Sequence, residues 1–150
     1  MARPVILAFH RSMLLASLLI MRFKQFPISV TCDRGCNRVP ASALDPVQRQ
    51  LLAGLVDEYL GDASDEALAR QRAAIAADGA DKLHFAWRGP TGDPAARFMF
   101  RIEGPSIIID YVRERSPDGS FNHAHSIARD PANDYGAKWL EQHYTEAHQE

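Results

Sequence analysis

From Ser42 onward the spacing of apolar residues divides the chain into elements. Asp45-Pro46-Val47-Gln48 supplies an N-cap, a proline at the first helical position and a glutamine at the capping-box position. Leu51, Leu52, Leu55, Val56, Tyr59 and Leu60 then recur at helical spacing until Gly61 ends the run. Ser64 caps a second helix that opens with Asp65-Glu66, where negative charge suits a helix N-terminus, and continues through Leu68 and Ile75 to Gly79. The two helices predict a helical hairpin. Beyond Gly79 the period drops from about 3.6 to 2. Leu83, Phe85 and Trp87 alternate with His84 and Ala86, and Phe98, Phe100 and Ile102 alternate with Arg97, Met99 and Arg101. Ser106 to Val112 forms a third strand, and the segment containing His123 and His125 a fourth. The turn signals Gly89-Pro90-Thr91-Gly92-Asp93-Pro94, Gly104-Pro105 and Ser116-Pro117-Asp118-Gly119 separate them. Strands this close together imply a meander rather than parallel units with crossover helices. Asn133 or Asp134 then caps a last helix whose Trp139, Leu140 and Tyr144 are expected to face the sheet. The predicted class is α+β: an N-terminal helical hairpin, a four-stranded antiparallel β-meander and a closing C-terminal helix.

Residues 1–40 follow no such pattern. An apolar run from Met13 to Met21, preceded by Arg3, His10 and Arg11, imitates an export signal, yet it is too short to span a bilayer and no small-x-small cleavage site follows it. Two readings fit, a degenerate signal or a mis-started leader. The chain is therefore divided into a leader, 1–40, and one α+β domain, 41–150. An export signal would place the protein in the envelope or outside the cell; a mis-started leader would leave it cytoplasmic. No transmembrane helix is expected.

Charge sharpens this division. The formal net charge of -2 over 150 residues conceals six Arg or Lys against one acidic residue in the first forty, and eleven against eighteen in the remainder. An acidic main body excludes most nucleic-acid binding, which depends on clustered cations to neutralise phosphates. Cys32 and Cys36, the only cysteines, have no further Cys or nearby His to complete a zinc or cluster motif and read as incidental thiols.

Chemistry concentrates in Phe121-Asn122-His123-Ala124-His125-Ser126. Side chains alternate along a strand, so His123 and His125 share a face and form a pincer. Joined by His84 from the first strand and Asp110 from the third, they would offer three imidazoles and a carboxylate to a divalent metal such as zinc, iron, manganese or copper. Asn122, Ser126 and Arg129 are placed to orient such ligands, and Arg101 to hold an anionic substrate. Trp87, beside a Gly-Pro turn, is the aromatic best placed to meet a ligand. A plainer account assigns the histidines to surface or loop hydrogen bonds, and Arg101 and Arg129 to ion pairs with Asp110, Asp130 or Asp134. His143 and His148 read as helix-terminal residues. Phosphate-cradling glycine loops and Ser-His-Asp arrangements are absent.

The landmarks Asp57-Glu58-Tyr59-Leu60-Gly61, Leu83-His84-Phe85-Ala86-Trp87, Arg101-Ile102-Glu103-Gly104-Pro105, Ile109-Asp110-Tyr111, Asn122-His123-Ala124-His125-Ser126, Arg129-Asp130-Pro131, Asp134-Tyr135-Gly136 and His143-Tyr144 are specific together. From about Leu44 to His148 the chain resembles the C-terminal part of the domain of unknown function 3500 family of bacterial and fungal proteins. That resemblance implies no activity. It implies that members are longer, that many are exported, and that this chain corresponds to a family C-terminus without its larger N-terminal part. The family's usual Glu-Tyr-Asp is replaced here by Asp110-Tyr111-Val112, which shortens one carboxylate arm and removes the other.

Two functions follow from the sequence. One is a metal-dependent enzyme or metal-binding envelope protein centred on His123 and His125. The other is a non-catalytic structural or interaction module, self-associating through the helical hairpin or acting as a truncated fragment of a longer relative.

Overall fold

The computed structural model describes residues 38–147, apart from 62, 91, 92, 94 and 95. The leader's apolar run, Cys32, Cys36 and His148 lie outside the described residues. Among the described residues an antiparallel sheet of five strands, in sequence order, carries the fold: β1 (Val39–Pro40), β2 (His84–Arg88), β3 (Phe98–Glu103), β4 (Ile108–Glu114) and β5 (His123–Arg129). Among the described residues three α-helices accompany it, α1 (Pro46–Leu60), α2 (Asp65–Asp78) and α3 (Ala137–Ala147). The short β1, which pairs Val39 with Phe85 and Pro40 with His84, adds a fifth strand to the four anticipated. Two residues, one of them proline, are too few to show a period in sequence.

Alternation decides which face of the sheet is inner. Phe85 and Trp87 on β2, Phe98, Phe100 and Ile102 on β3, and Ile109 and Tyr111 on β4 are all buried, while the residues between them face the other way. Their rings stack across strands: Trp87 on Phe98 at 4.4 Å, Phe98 on Tyr111 at 5.3 Å, Tyr111 on Phe100 at 5.1 Å and Phe100 on Phe85 at 6.1 Å. Helix α1 joins this core with Leu52, Leu55, Val56 and Leu60, and Tyr59 meets Phe100 edge to face. Its start is fixed by a reciprocal cap: Asp45 Oδ1 accepts from the Gln48 amide and Gln48 Oε1 from the Asp45 amide, both at 2.8 Å.

Helix α2 buries no residue completely and rests on the core through Leu68 and Ile75. Polar ties supplement that contact. Arg72 donates to Asp57 on α1 at 3.0 and 3.1 Å, Gln71 donates to the Ser106 carbonyl, and the Ser106 hydroxyl donates to Asp78 at 2.5 Å. After β2, Gly89 turns the chain at φ +132°, where a side chain would meet the Arg97 carbonyl at 2.7 Å, so glycine is required.

The last helix departs from expectation. Trp139, Leu140 and Tyr144 are 68%, 56% and 60% exposed, and α3 packs against the preceding 3₁₀ turn (Pro131–Gly136) instead of closing over the sheet. Large apolar residues of β2 to β4 on the inner face already belong to the core that α1 shares, and the β5 residues facing that way, Ala124, Ser126 and Ala128, offer little apolar area. No helix among the described residues is long and apolar enough to cross a membrane.

Candidate functional site

Strand register places the chemistry on the outer face. His84, Glu103, Ile108 and Arg129 form one row across β2 to β5; Ala86, Arg101, Asp110 and Ile127 form the next; Arg88, Met99, Val112 and His125 a third; Glu114 and His123 begin a fourth. All four residues expected to hold a metal are therefore on one face, but they are not one cluster.

His123 and His125 do meet. Their rings lie 4.4 Å apart at 77°, both exposed at the sheet edge. The turn before β5 sets their position: Ser116 N donates to the Ser120 carbonyl at 2.7 Å, and Gly119 takes φ +86°. Ser120 donates to Asp118 from its hydroxyl at 2.7 Å and its amide at 2.9 Å, which together hold the Asp118 carboxyl below its ordinary range. Asn122 Oδ1 accepts from the Ser116 hydroxyl, so this side chain closes the turn.

His84 is three strands away from the pair, about 14 Å sideways at the ordinary ~4.8 Å strand spacing, whereas nitrogen ligands sit only about 2 Å from a shared metal. Its Nδ1 donates to the Lys82 carbonyl at 2.9 Å; a carbonyl only accepts, so the proton is on Nδ1. Asp110 is a diagonal neighbour of His125, but Arg101 takes both its oxygens, Nε to Oδ1 at 2.6 Å and Nη2 to Oδ2 at 2.8 Å. That hydrogen-bonded carboxylate also pushes the Arg101 guanidinium above its ordinary range, against the opposing effect of partial burial. Arg129 pairs with Asp134 and ties β5 to the following turn. Among the described residues no group of three or more His, Cys, Asp or Glu is placed to hold a metal ion. Trp87 lies on the inner face, 5% exposed, with its indole N–H donating to the Gly89 carbonyl at 3.0 Å.

The outer face has a second feature that motif reading passed over. A concavity of about 210 Å³ lies over Ala86 and Met99, bordered by Arg38, Arg88, Arg101 and Asp110. A neighbouring hollow of about 290 Å³ shares Arg88 and Met99 and extends to Arg97 and Glu114. Arg38 is matched by Glu103 at 2.6 Å, Arg97 by Glu114 at 3.6 Å and Arg101 by Asp110. Arg88, which borders both hollows, pairs with no carboxylate among the described residues. One signal was present in sequence: in His84-Phe85-Ala86-Trp87-Arg88 the outward positions end in a cation, and the alternate position Met99 on the next strand supplies an apolar floor.

Residues 29–137 match the model of a family described as a protein of unknown function, DUF3500. The match begins within the segment read as a leader and ends at the first residue of α3. No curated protein and no solved structure matches the chain.

Proposed function

Since the chain belongs to the DUF3500 family, whose description assigns no activity, we propose a function from its own geometry: the outer sheet face binds a small anion, a carboxylate or phosphate group. The observation that carries this reading is Arg88, an ion-unpaired guanidinium among the described residues at the border of an otherwise apolar-floored hollow, with Arg101 and Arg38 beside it. A planar fork of N–H donors matches carboxylate and phosphate oxygens two at a time. At about 210 Å³ the hollow is smaller than the roughly 300–1,000 Å³ of sites for drug-sized molecules, so it suits one anionic group. The group would be free or carried on a larger molecule.

Binding without catalysis is favoured by the lining. Among the described residues that border this hollow there is no Ser, Thr, Cys, His or Lys to act as nucleophile or base, and the carboxylate of Asp110 is held by Arg101. Calorimetric titration of the full chain with inorganic phosphate, and separately with succinate, tests the proposal. Arg88→Ala is expected to weaken binding by at least about tenfold, while Arg70→Ala, on the exposed face of α2, leaves it unchanged. Binding that ignores Arg88→Ala, or no binding of either anion, overturns it.

A further inference from the structure

We infer that His123 and His125 are half of a transition-metal site, and that a second copy of this chain supplies the other half by pairing along the outer edge of β5. This inference is independent of the anion reading, since none of its residues borders the arginine-lined hollows.

The pair has what a metal half-site needs. Both rings are exposed, on one face and 4.4 Å apart, and neither hydrogen-bonds nor ion-pairs with another described residue. Two imidazoles are too few for the four-coordinate sites typical of zinc, and the described part of the chain brings no third ligand to them. Glu114, across the strand from His123, is engaged by Arg97, and Val112, across from His125, has nothing to donate.

The edge beside them is equally incomplete. Among the described residues β5 ends the sheet, and none of them pairs as a strand with the outer side of its backbone. Edge strands are usually protected by charge, proline or a bulge. From Phe121 to Ile127 there is no proline and no acidic or Lys/Arg side chain.

Antiparallel pairing of two such edges about Ala124 completes both features at once. His123 of each copy then lies opposite His125 of the other, and opposite residues share a face with Cβ atoms about 4.5–5.5 Å apart. Four imidazoles thus converge on the outer side, a nitrogen-only set suited to zinc, copper or nickel. The same register sets Phe121 against Ile127, covering an apolar side chain that is 49% exposed in the single chain.

Zinc chloride added to the full chain, followed by sedimentation and calorimetry, reads the outcome directly. One zinc per two chains is expected, with a doubling of mass that EDTA reverses, and cobalt(II) in its place is expected to give the intense visible absorption of tetrahedral coordination. His123→Ala and His125→Ala should each abolish metal uptake and dimer formation together; both residues are exposed, so circular dichroism should stay unchanged. Ile127→Lys keeps all four imidazoles but puts a charge on the edge, and should weaken the dimer at least about tenfold. Zinc bound one per chain without a change in mass, no zinc uptake, or a dimer that survives the histidine variants overturns the inference. A dimer lost with the histidines but indifferent to Ile127→Lys overturns the edge register.

Discussion

Asp110 on β4 and Arg101 on β3 are register partners whose charges meet through two hydrogen bonds, at 2.6 and 2.8 Å. This fork does two things on the outer face. It occupies the carboxylate that the sequence offered as a metal ligand, and it keeps the guanidinium from turning wholly toward the hollow that Arg88 borders.

Releasing Arg101 is therefore expected to strengthen anion binding. Asp110→Asn removes the competing charge while keeping the shape, so phosphate should bind more tightly by calorimetry, the opposite of the Arg88→Ala effect. Stability should fall by no more than about 1 kcal/mol, because Arg101 is 44% exposed and water screens the pair. Zinc uptake should not change, since Asp110 is committed elsewhere.

The cap of α1 is expected to matter more than its size suggests. Asp45→Ala leaves the Gln48 amide without its acceptor and should cost about 1 kcal/mol in denaturant unfolding. Gln48→Leu takes the side-chain acceptor from the Asp45 amide, a part-buried hydrogen bond at an exposed residue, and should cost about 0.5–1.5 kcal/mol, the net worth of one such bond. A Gln48→Leu variant as stable as the parent would show that water replaces the lost bond.

Most of this architecture was legible because its signals are local. The capping box at Asp45 and Gln48, the alternation through Phe85 and Trp87, and the turn at Ser116–Gly119 each depend on residues a few positions apart. Which residues meet across the sheet is not local. His123 and His125 are two positions apart and their meeting could be read directly; His84 lies on the same face, but its distance from them depends on strand order and register. Arg88 was missed for the same reason: its site exists only where β2 and β3 lie side by side and place Met99 beside it. Trp87 adjoins a turn, yet its stacking on Phe98 decides that it faces inward.

Burial raises the Tyr111 phenol above its ordinary value of 10.0, with the nearby Arg113 charge acting in the opposite direction. The folded state thus holds the phenolic proton more tightly than the unfolded chain. Its contribution is fully present below the unfolded value and is lost as pH rises through the higher folded one. Stability measured by urea unfolding should therefore decline more steeply with pH above about 10 in the parent than in Tyr111→Phe. Equal slopes for the two proteins would mean that Tyr111 ionises as freely in the fold as outside it.

Helix α3 carries an amphipathic stripe, yet a stripe in sequence says only that a surface is apolar, not that this chain covers it. Trp139, Leu140 and Tyr144 are mostly exposed, and the packed core runs instead from Leu52 and Leu55 of α1 to Phe100 and Ile109 of the sheet. Truncation should consequently separate the two helices. Trp139→Ala with Leu140→Ala is expected to leave the unfolding free energy of the isolated chain within about 0.5 kcal/mol, as for surface changes in general. Leu55→Ala, at a fully buried position, is expected to cost about 2–5 kcal/mol because the surrounding core cannot collapse fully into the space. If the α3 double variant lost as much as Leu55→Ala, the helix would have to pack onto the domain in solution, and the exposed stripe would belong to the core after all.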